Sequence, residues 1–182
     1  MSDDAKTNPL DLTALREGID ELDRQIVDLL NKRAEIVVQV GKVKHATGAP
    51  IYAPEREQAL FRRLEKLNKG PLPHKTLVAM YRELLSGSYA LERPLRIGYL
   101  GPRGSFSHLA SMRQFGSSVE HVALPDFRAV FSEVDRGHCD YGIVPIENSL
   151  GGGVIEAMDC FVESSVRICS EVLAEIHHNL LA

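Results

Sequence analysis

Apolar residues recur along the first 43 positions in steps that alternate between three and four, and this spacing predicts one long helix. We name this stripe the seam; it consists of Leu12, Leu15, Ile19, Leu22, Ile26, Leu29, Ile36, Val40 and Val43. One step beyond Leu29 falls on Arg33, which places a guanidinium on a stripe that otherwise carries hydrocarbon. We expect the seam to be buried, and Arg33 then needs an anion opposite it.

Two shorter helices are predicted after the seam. The second helix starts at Pro54, a residue suited to a first helical position, and the run from Asn68 to Pro71 ends it. Its predicted inner face carries Ala59, Leu60, Leu64 and Leu67. The third helix is predicted from Lys75 to Leu91 and closes at Pro94. Its predicted inner face carries Leu77, Met80, Tyr81, Leu84, Leu85 and Leu91.

Beyond Pro94 short apolar runs alternate with helical patterns, so we place a domain boundary there and predict an open α/β sheet. The predicted domains are a disordered N-terminus at 1–9, a helical domain at 10–93 and an α/β domain at 95–182. Strands are predicted at 95–100, 119–124, 141–146 and 166–169, and helices at 107–115, 126–134 and 154–162. The chain stops within an apolar run at Leu180 to Ala182, so we expect the α/β domain to be incomplete.

Composition narrows the class of protein. The chain has 182 residues, 44% of them hydrophobic, and a net charge of −4 without a basic cluster, which disfavours nucleic acid and membrane partners. No apolar run approaches the length of a membrane span, and the N-terminus lacks a signal-peptide pattern, so we expect a cytoplasmic protein. Cys139, Cys160 and Cys169 show no C-x-x-C spacing, so we expect buried thiols without a disulfide or a metal site.

The cations of the first helix are the candidate binding groups. Lys44 follows Arg33 by three helical turns, roughly 16 Å along the same face, so the two side chains could bracket a small dianion. An interhelical ion pair for Arg33 with a solvated Lys44 explains the spacing equally well. Arg16 stands about 25 Å before Arg33 on another face. If Arg16 also binds the ligand, it must come from a second copy of the chain, and the length of the helix independently favours a dimer.

Polar residues interrupt the apolar face of the third helix, and further polar residues lie in two later loops. Ser88 and Glu92 lie one turn apart on the third helix, although a solvated helix end also explains Glu92. The loops GPRGSFS and ENSLGGGV follow predicted strands, which places them at the carboxyl edge of the sheet where α/β folds bind ligands. The side chains that could donate hydrogen bonds to an anion there are Ser105, Ser107, Asn148 and Ser149. Neither loop fits a dinucleotide fingerprint or a P-loop, and simple chain reversal is the alternative.

Five stretches carry a family resemblance that spans nearly everything from Leu10 onward. LREGIDELD, LLNKRAEIVVQVGKVK and PEREQAL, followed by RIGYLGPRGSFSHLA and YGIVPIENSLGGGV, together resemble the bifunctional chorismate mutase/prephenate dehydratase family. The resemblance implies an all-α three-helix mutase domain that forms an intertwined homodimer. It also implies a partial α/β domain like one lobe of a periplasmic-binding-protein-like dehydratase. The implied ligands are chorismate and prephenate, in phenylalanine biosynthesis, and no cofactor is implied.

The resemblance also implies roles by motif position. Arg16 would reach chorismate across the dimer, and Arg33 and Lys44 from within the chain. Glu57 would meet the ring hydroxyl, and Ser88 would contact substrate. The catalytic set would be Lys44, Glu92 and Arg33, with Lys44 stabilising negative charge on the breaking ether oxygen.

Many members have Gln at the position of Glu92, and some have an acid at the position of Ala53. Since Glu92 donates a hydrogen bond only when protonated, we expect mutase activity to fall as pH rises.

For the dehydratase, the resemblance supplies only cleft candidates: Ser105, Ser107, Glu147, Asn148 and Ser149. The family's Thr-Arg-Phe motif and phenylalanine-binding domain do not occur in this sequence. We therefore expect the chain as given to form no phenylpyruvate from prephenate and to show no phenylalanine feedback.

Two other classes of protein compete with the enzyme. A non-catalytic dimeric protein that binds or senses a small anion would explain the seam and the glycine loops, but it leaves Arg33, Lys44 and Glu57 unrelated to one another. A purely structural coiled-coil spacer predicts that Arg33→Leu is tolerated or even stabilising.

Overall fold

The computed structural model describes residues 11–177. Its first half contains three helices: α1 (Leu12–Thr47), α2 (Pro54–Leu67) and α3 (His74–Glu92). The side chain of Asp11 caps α1 by accepting a hydrogen bond from the Thr13 amide, and Gly48 ends the helix at φ 68°, in the left-handed region. The N-terminus that we expect to be disordered and the apolar end at Leu180 to Ala182 lie outside the described residues.

The second half is a small α/β region. Its elements are β1 (Arg96–Leu100), α4 (Phe106–Phe115), β2 (Glu120–Leu124), α5 (Phe127–Asp135), β3 (Tyr141–Ile143), β4 (Glu147–Asn148), β5 (Gly152–Gly153) and α6 (Ile155–Glu163). The sheet has the order β2-β1-β3, and β1 is parallel to both neighbours. A helical domain followed by a parallel α/β region confirms the predicted fold class. No helix within residues 11–177 is long and apolar enough to cross a bilayer.

Three details of the sequence prediction are wrong. Residues 166–169 form no strand, because a short run with two β-branched residues becomes a strand only where a neighbouring strand offers its backbone. The strand predicted to reach Ile146 ends at Ile143, and the glycine loop beyond it folds into the antiparallel β4–β5 hairpin. All three cysteines were expected to be buried; Cys139 and Cys160 are, but Cys169 is exposed.

The predicted burial of the seam is also wrong for the single chain. All nine apolar seam residues are exposed, with Leu22 retaining 57% of its accessible surface. The face of α1 that packs on α3 is a neighbouring one, where Arg33, Ala34, Val37, Gly41 and Lys44 are partly buried. Gly41 permits this close approach, since a Cβ there would lie 3.1 Å from Cγ of Glu92. The partial burial of Arg33 and Lys44 therefore comes from α3.

The two halves share one hydrophobic cluster, which we name the junction core. It consists of Tyr52, Tyr89, Leu95, Ile97, Phe115 and Val119. Tyr52 belongs to the loop between α1 and α2 and Tyr89 to α3, whereas Ile97 and Phe115 belong to the α/β region. The proposed boundary at Pro94 is thus a boundary along the sequence that the packing crosses.

Candidate active site

The α1–α3 interface brings together four of the predicted site residues as two pairs. In the first pair, Nη1 of Arg33 donates a hydrogen bond of 2.8 Å to Oγ of Ser88. The Ser88 hydroxyl in turn donates to the backbone carbonyl of Leu84, 2.7 Å away. These two hydrogen bonds orient the guanidinium, and within residues 11–177 Arg33 has no carboxylate partner, so its charge is available to a ligand.

The second pair is an ion pair between Lys44 and Glu92. Nζ of Lys44 lies 2.9 Å from Oε2 of Glu92, and the two side chains keep only 21% and 7% of their exposure. Oε2 of Glu92 is buried and finds no hydrogen-bond partner among residues 11–177, so the contact with Lys44 is one of charge alone. Lys44 directs a hydrogen bond of 2.7 Å to the backbone carbonyl of Ile51 instead. A buried carboxylate oxygen thus retains an open position for a hydrogen-bond donor.

A cavity of about 340 Å³ opens beside this ion pair. Lys44 and Glu92 form part of its wall, and the loop from Gly48 to Ile51 forms another part. The α/β region adds Asp140 and Tyr141 from the start of β3. A cavity of this size suits a small molecule with one ring, and its wall carries the cations of Lys44 and Arg93 together with the carboxylates of Glu92 and Asp140.

Glu57 lies apart from this cavity. Its carboxylate pairs with the guanidinium of Arg82 and accepts a hydrogen bond of 2.7 Å from the Tyr89 hydroxyl. Arg82 also donates to the backbone carbonyl of Gln114, 2.7 Å away, which ties α3 to α4. Burial, and then the negative charge of Glu57, raise the pKa of Tyr89. Glu57 is therefore held among partners of its own chain, and its contact with substrate stays a prediction.

Arg16 and Ala53 complete the predicted mutase set. Arg16 is exposed on the first half of α1 and does not line the cavity. Ala53 is the N-cap residue of α2 and provides no side-chain hydrogen bond to the helix start. Within one chain, the structure thus joins Arg33 to Ser88 and Lys44 to Glu92, and leaves Arg16 and Glu57 outside that group.

The dehydratase-cleft candidates lie in the segments that follow β1 and β3 along the chain. Oγ of Ser105 caps α4 by accepting from the His108 amide at 3.2 Å and donates to the Leu100 carbonyl at 3.0 Å. Ser107 is half-buried within α4. Glu147 and Asn148 form β4, Ser149 follows in the turn, and all three are exposed. Because β1 and β3 are parallel neighbours, both loops belong to the same edge of the sheet.

Sequence reasoning missed three residues that shape the cavity. Ile51 contributes a backbone carbonyl, which leaves no trace in side-chain patterns. Asp140 and Tyr141 come from the α/β region, far along the chain from the helices. Their polar and aromatic side chains at the start of a strand were the available signal, but nothing local indicated that they face α1.

Two family models match side by side. The chorismate mutase type II model matches residues 15–93, and the prephenate dehydratase model matches residues 97–182. Curated relatives carry both names. A bifunctional chorismate mutase/prephenate dehydratase of Stutzerimonas stutzeri is 43% identical over 93% of this chain and 48% of its own length. That of Aquifex aeolicus is 39% identical over 94% and 49%.

The chain belongs to the bifunctional chorismate mutase/prephenate dehydratase family. It spans about half the length of the curated relatives it matches. Among solved structures, a form II chorismate mutase from Thermus thermophilus is 34% identical and aligns over 44% of this chain and 91% of its own, with a TM-score of 0.43.

Proposed function

We propose that this chain is a chorismate mutase that rearranges chorismate to prephenate in phenylalanine biosynthesis. The observation that carries the proposal is the contact of 2.9 Å between Lys44 and Glu92 at the wall of a small cavity, on the same helix interface as the Arg33–Ser88 pair. The match of residues 15–93 to chorismate mutases gives independent support. Chorismate is a dicarboxylate with one ring, which matches both the cations and the size of the cavity.

In the proposed mechanism the protein forms no covalent bond with its substrate. Arg33 and Lys44 bind carboxylates and hold a compact conformer in which the two reacting carbons meet, which removes most of the entropic part of the barrier. Lys44 then donates to the ether oxygen, where negative charge grows as the carbon–oxygen bond breaks. Glu92, when protonated, donates to the same oxygen, and Ser88 keeps Arg33 in place. No proton has to leave the substrate, and no cofactor is required.

The proposal includes a homodimer whose second copy covers the seam. The α1 helix has 36 residues, whereas α2 and α3 have 14 and 19, so the described part of one chain offers no element long enough to cover α1. A second α1 supplies a surface of equal length, and nine exposed apolar residues give the association its driving force. In that arrangement Arg16 of one copy would complete the site formed by Arg33 and Lys44 of the other.

The proposed function is tested by the loss of chorismate absorbance with native protein and with Lys44→Ala. Loss of one donor to a developing negative charge lowers turnover by roughly 10² to 10³, so we expect a fall of that size. The variant should keep its circular dichroism spectrum and its dimer mass. Near-normal turnover in Lys44→Ala would remove Lys44 from the mechanism, and a native protein that binds chorismate without converting it would favour the sensor alternative.

A further inference from the structure

Lys44 is held by the loop that follows it. The connecting loop comprises residues 49–53, between the Gly48 cap and α2. The backbone carbonyl of Lys44 accepts hydrogen bonds from the amides of Gly48 and Ala49, and its ammonium donates to the carbonyl of Ile51 at 2.7 Å. A shift of this loop therefore moves an acceptor of the ammonium directly.

The next residue, Tyr52, fixes the connecting loop to the other half of the molecule. Its side chain is 2% exposed, and its ring lies 4.9 Å from that of Phe115 and 5.2 Å from that of Tyr141, measured between centroids. Its hydroxyl accepts a hydrogen bond of 2.5 Å from Nε2 of Gln114. Phe115 and Gln114 lie on α4, and Tyr141 lies on β3, so the anchor of the loop belongs to the α/β region.

We propose that Tyr52 is a positioning residue for the mutase reaction: it transmits the placement of α4 and β3 to the ammonium of Lys44 through the carbonyl of Ile51. This inference rests on the proposed function. Tyr52 touches neither the Lys44 ammonium nor the substrate in this mechanism. Its effect arises because Ile51 and Tyr52 are adjacent along the backbone, so a ring fixed in the junction core fixes the neighbouring carbonyl.

A purely structural role for Tyr52 makes a different prediction. An ordinary core residue stabilises the whole fold, and its loss lowers activity only as far as the fold is lost. A positioning residue loses its effect once the group that it positions is absent. A double-mutant cycle between Tyr52 and Lys44 separates these two roles.

The variants are Tyr52→Leu, which keeps an apolar side chain but removes the ring, and Tyr52→Phe, which removes only the hydroxyl. Val130→Ala is the control, because Val130 is equally buried on α5 but lies outside the junction core. We expect Tyr52→Leu to lower kcat/KM roughly 10- to 100-fold, chiefly through kcat, since small misplacements of reacting groups have effects of that size. Tyr52→Phe, which retains the ring, should keep most of the native kcat/KM. Val130→Ala should lower Tm without changing kcat.

In the Lys44→Ala background, Tyr52→Leu should change kcat/KM less than threefold. An equal fractional loss in both backgrounds would overturn the proposal. A second readout does not depend on turnover: acetylation of Lys44 by limiting acetic anhydride, mapped by mass spectrometry against the exposed Lys32 as reference. Tyr52→Leu should raise the relative rate at Lys44 severalfold, whereas Val130→Ala should leave it unchanged. An unchanged rate in Tyr52→Leu would overturn the positioning role, while absence of turnover in the native chain would overturn only the proposed function.

Discussion

At the level of single residues, the helical half contains two carboxylates that are largely buried. Glu57 and Glu92 each lie opposite a cation, Arg82 and Lys44 respectively, as a buried charge requires. Their surroundings differ in one respect. Glu57 is saturated by its own chain, because Tyr89 also donates to it, whereas Oε2 of Glu92 has room for another donor or proton. This difference favours Glu92 over Glu57 as a group that changes partners when a ligand enters.

The proposed role of Glu92 as a hydrogen-bond donor predicts that mutase activity depends on pH. Glu92 donates to the ether oxygen only as the acid, so we expect kcat to decline as pH rises, whereas the amide of Glu92→Gln donates at every pH. The profile of Glu92→Gln should therefore be flatter, with its advantage over the native protein greatest at alkaline pH. The measurement is kcat for chorismate from about pH 5 to about pH 9. Superimposable profiles would exclude Glu92 as the donor.

The Tyr89–Glu57 contact predicts a change of stability with pH. Because the folded protein raises the pKa of Tyr89, its neutral hydroxyl contributes stability that is complete below the unfolded value of about 10 and is lost as pH rises above it. We expect Tyr89→Phe to lower the free energy of unfolding by about 1–2 kcal/mol near neutral pH, since a buried carboxylate loses a donor. The gap should narrow above about pH 10. Urea unfolding at both pH values measures it, and a constant gap would contradict the assignment.

At the scale of elements, α1 has two faces with different surroundings. One face packs on α3, where Gly41 lets the helices approach, and the seam faces outward with no covering element in residues 11–177. The periodicity of the seam was predictable from the sequence because hydrocarbon spacing is a local property. The length of α1 favoured a second copy of the chain as its cover, but no residue of α1 identifies the surface that would lie against the seam.

An acidic residue on the seam should therefore separate the protomers. Leu22→Asp puts one carboxylate from each chain into the proposed apolar interface, so we expect the mass to fall from two chains to one, and mutase turnover to fall with it. Leu150→Asp is the control, because Leu150 is equally apolar and 97% exposed but lies in the β4–β5 hairpin. Sedimentation velocity measures both variants. A dimer that survives Leu22→Asp would exclude the seam as its interface.

Other elements show where local patterns are insufficient. The Arg33–Ser88 pair was within reach of sequence reasoning, because a cation on an apolar stripe and a serine on an interrupted stripe both stand out. The Glu57–Arg82 pair was not, because its members lie 25 residues apart on different helices and neither disturbs its own pattern. Tyr52 was missed for a similar reason: a single aromatic residue in a short loop has no periodicity. The run at 166–169 misled because its β-branched residues have no partner strand within residues 11–177.

At the scale of the whole molecule, a shared site predicts complementation between two inactive variants. Each site would take Arg16 from one chain and Arg33 from the other, so Arg16→Ala and Arg33→Ala should both be inactive alone. A hybrid dimer keeps one site in which both arginines are present. With free exchange, half of the dimers are hybrids, and we expect about a quarter of native activity. Mixing after mild dissociation, with exchange verified by differently tagged chains, tests this. Complete exchange without recovery would place both arginines in the site of one chain.

The junction core also decides where this polypeptide can be divided. Tyr52 and Tyr89 meet Ile97 and Phe115 across the point at which the two family matches adjoin. A cut at Pro94 would leave aromatic rings of the helical fragment in water and remove from β1 the surface against which it folds. We therefore expect each fragment, produced alone, to be less stable than the same residues in the intact chain, so that the border between the two family matches is not a border between two independent folding units.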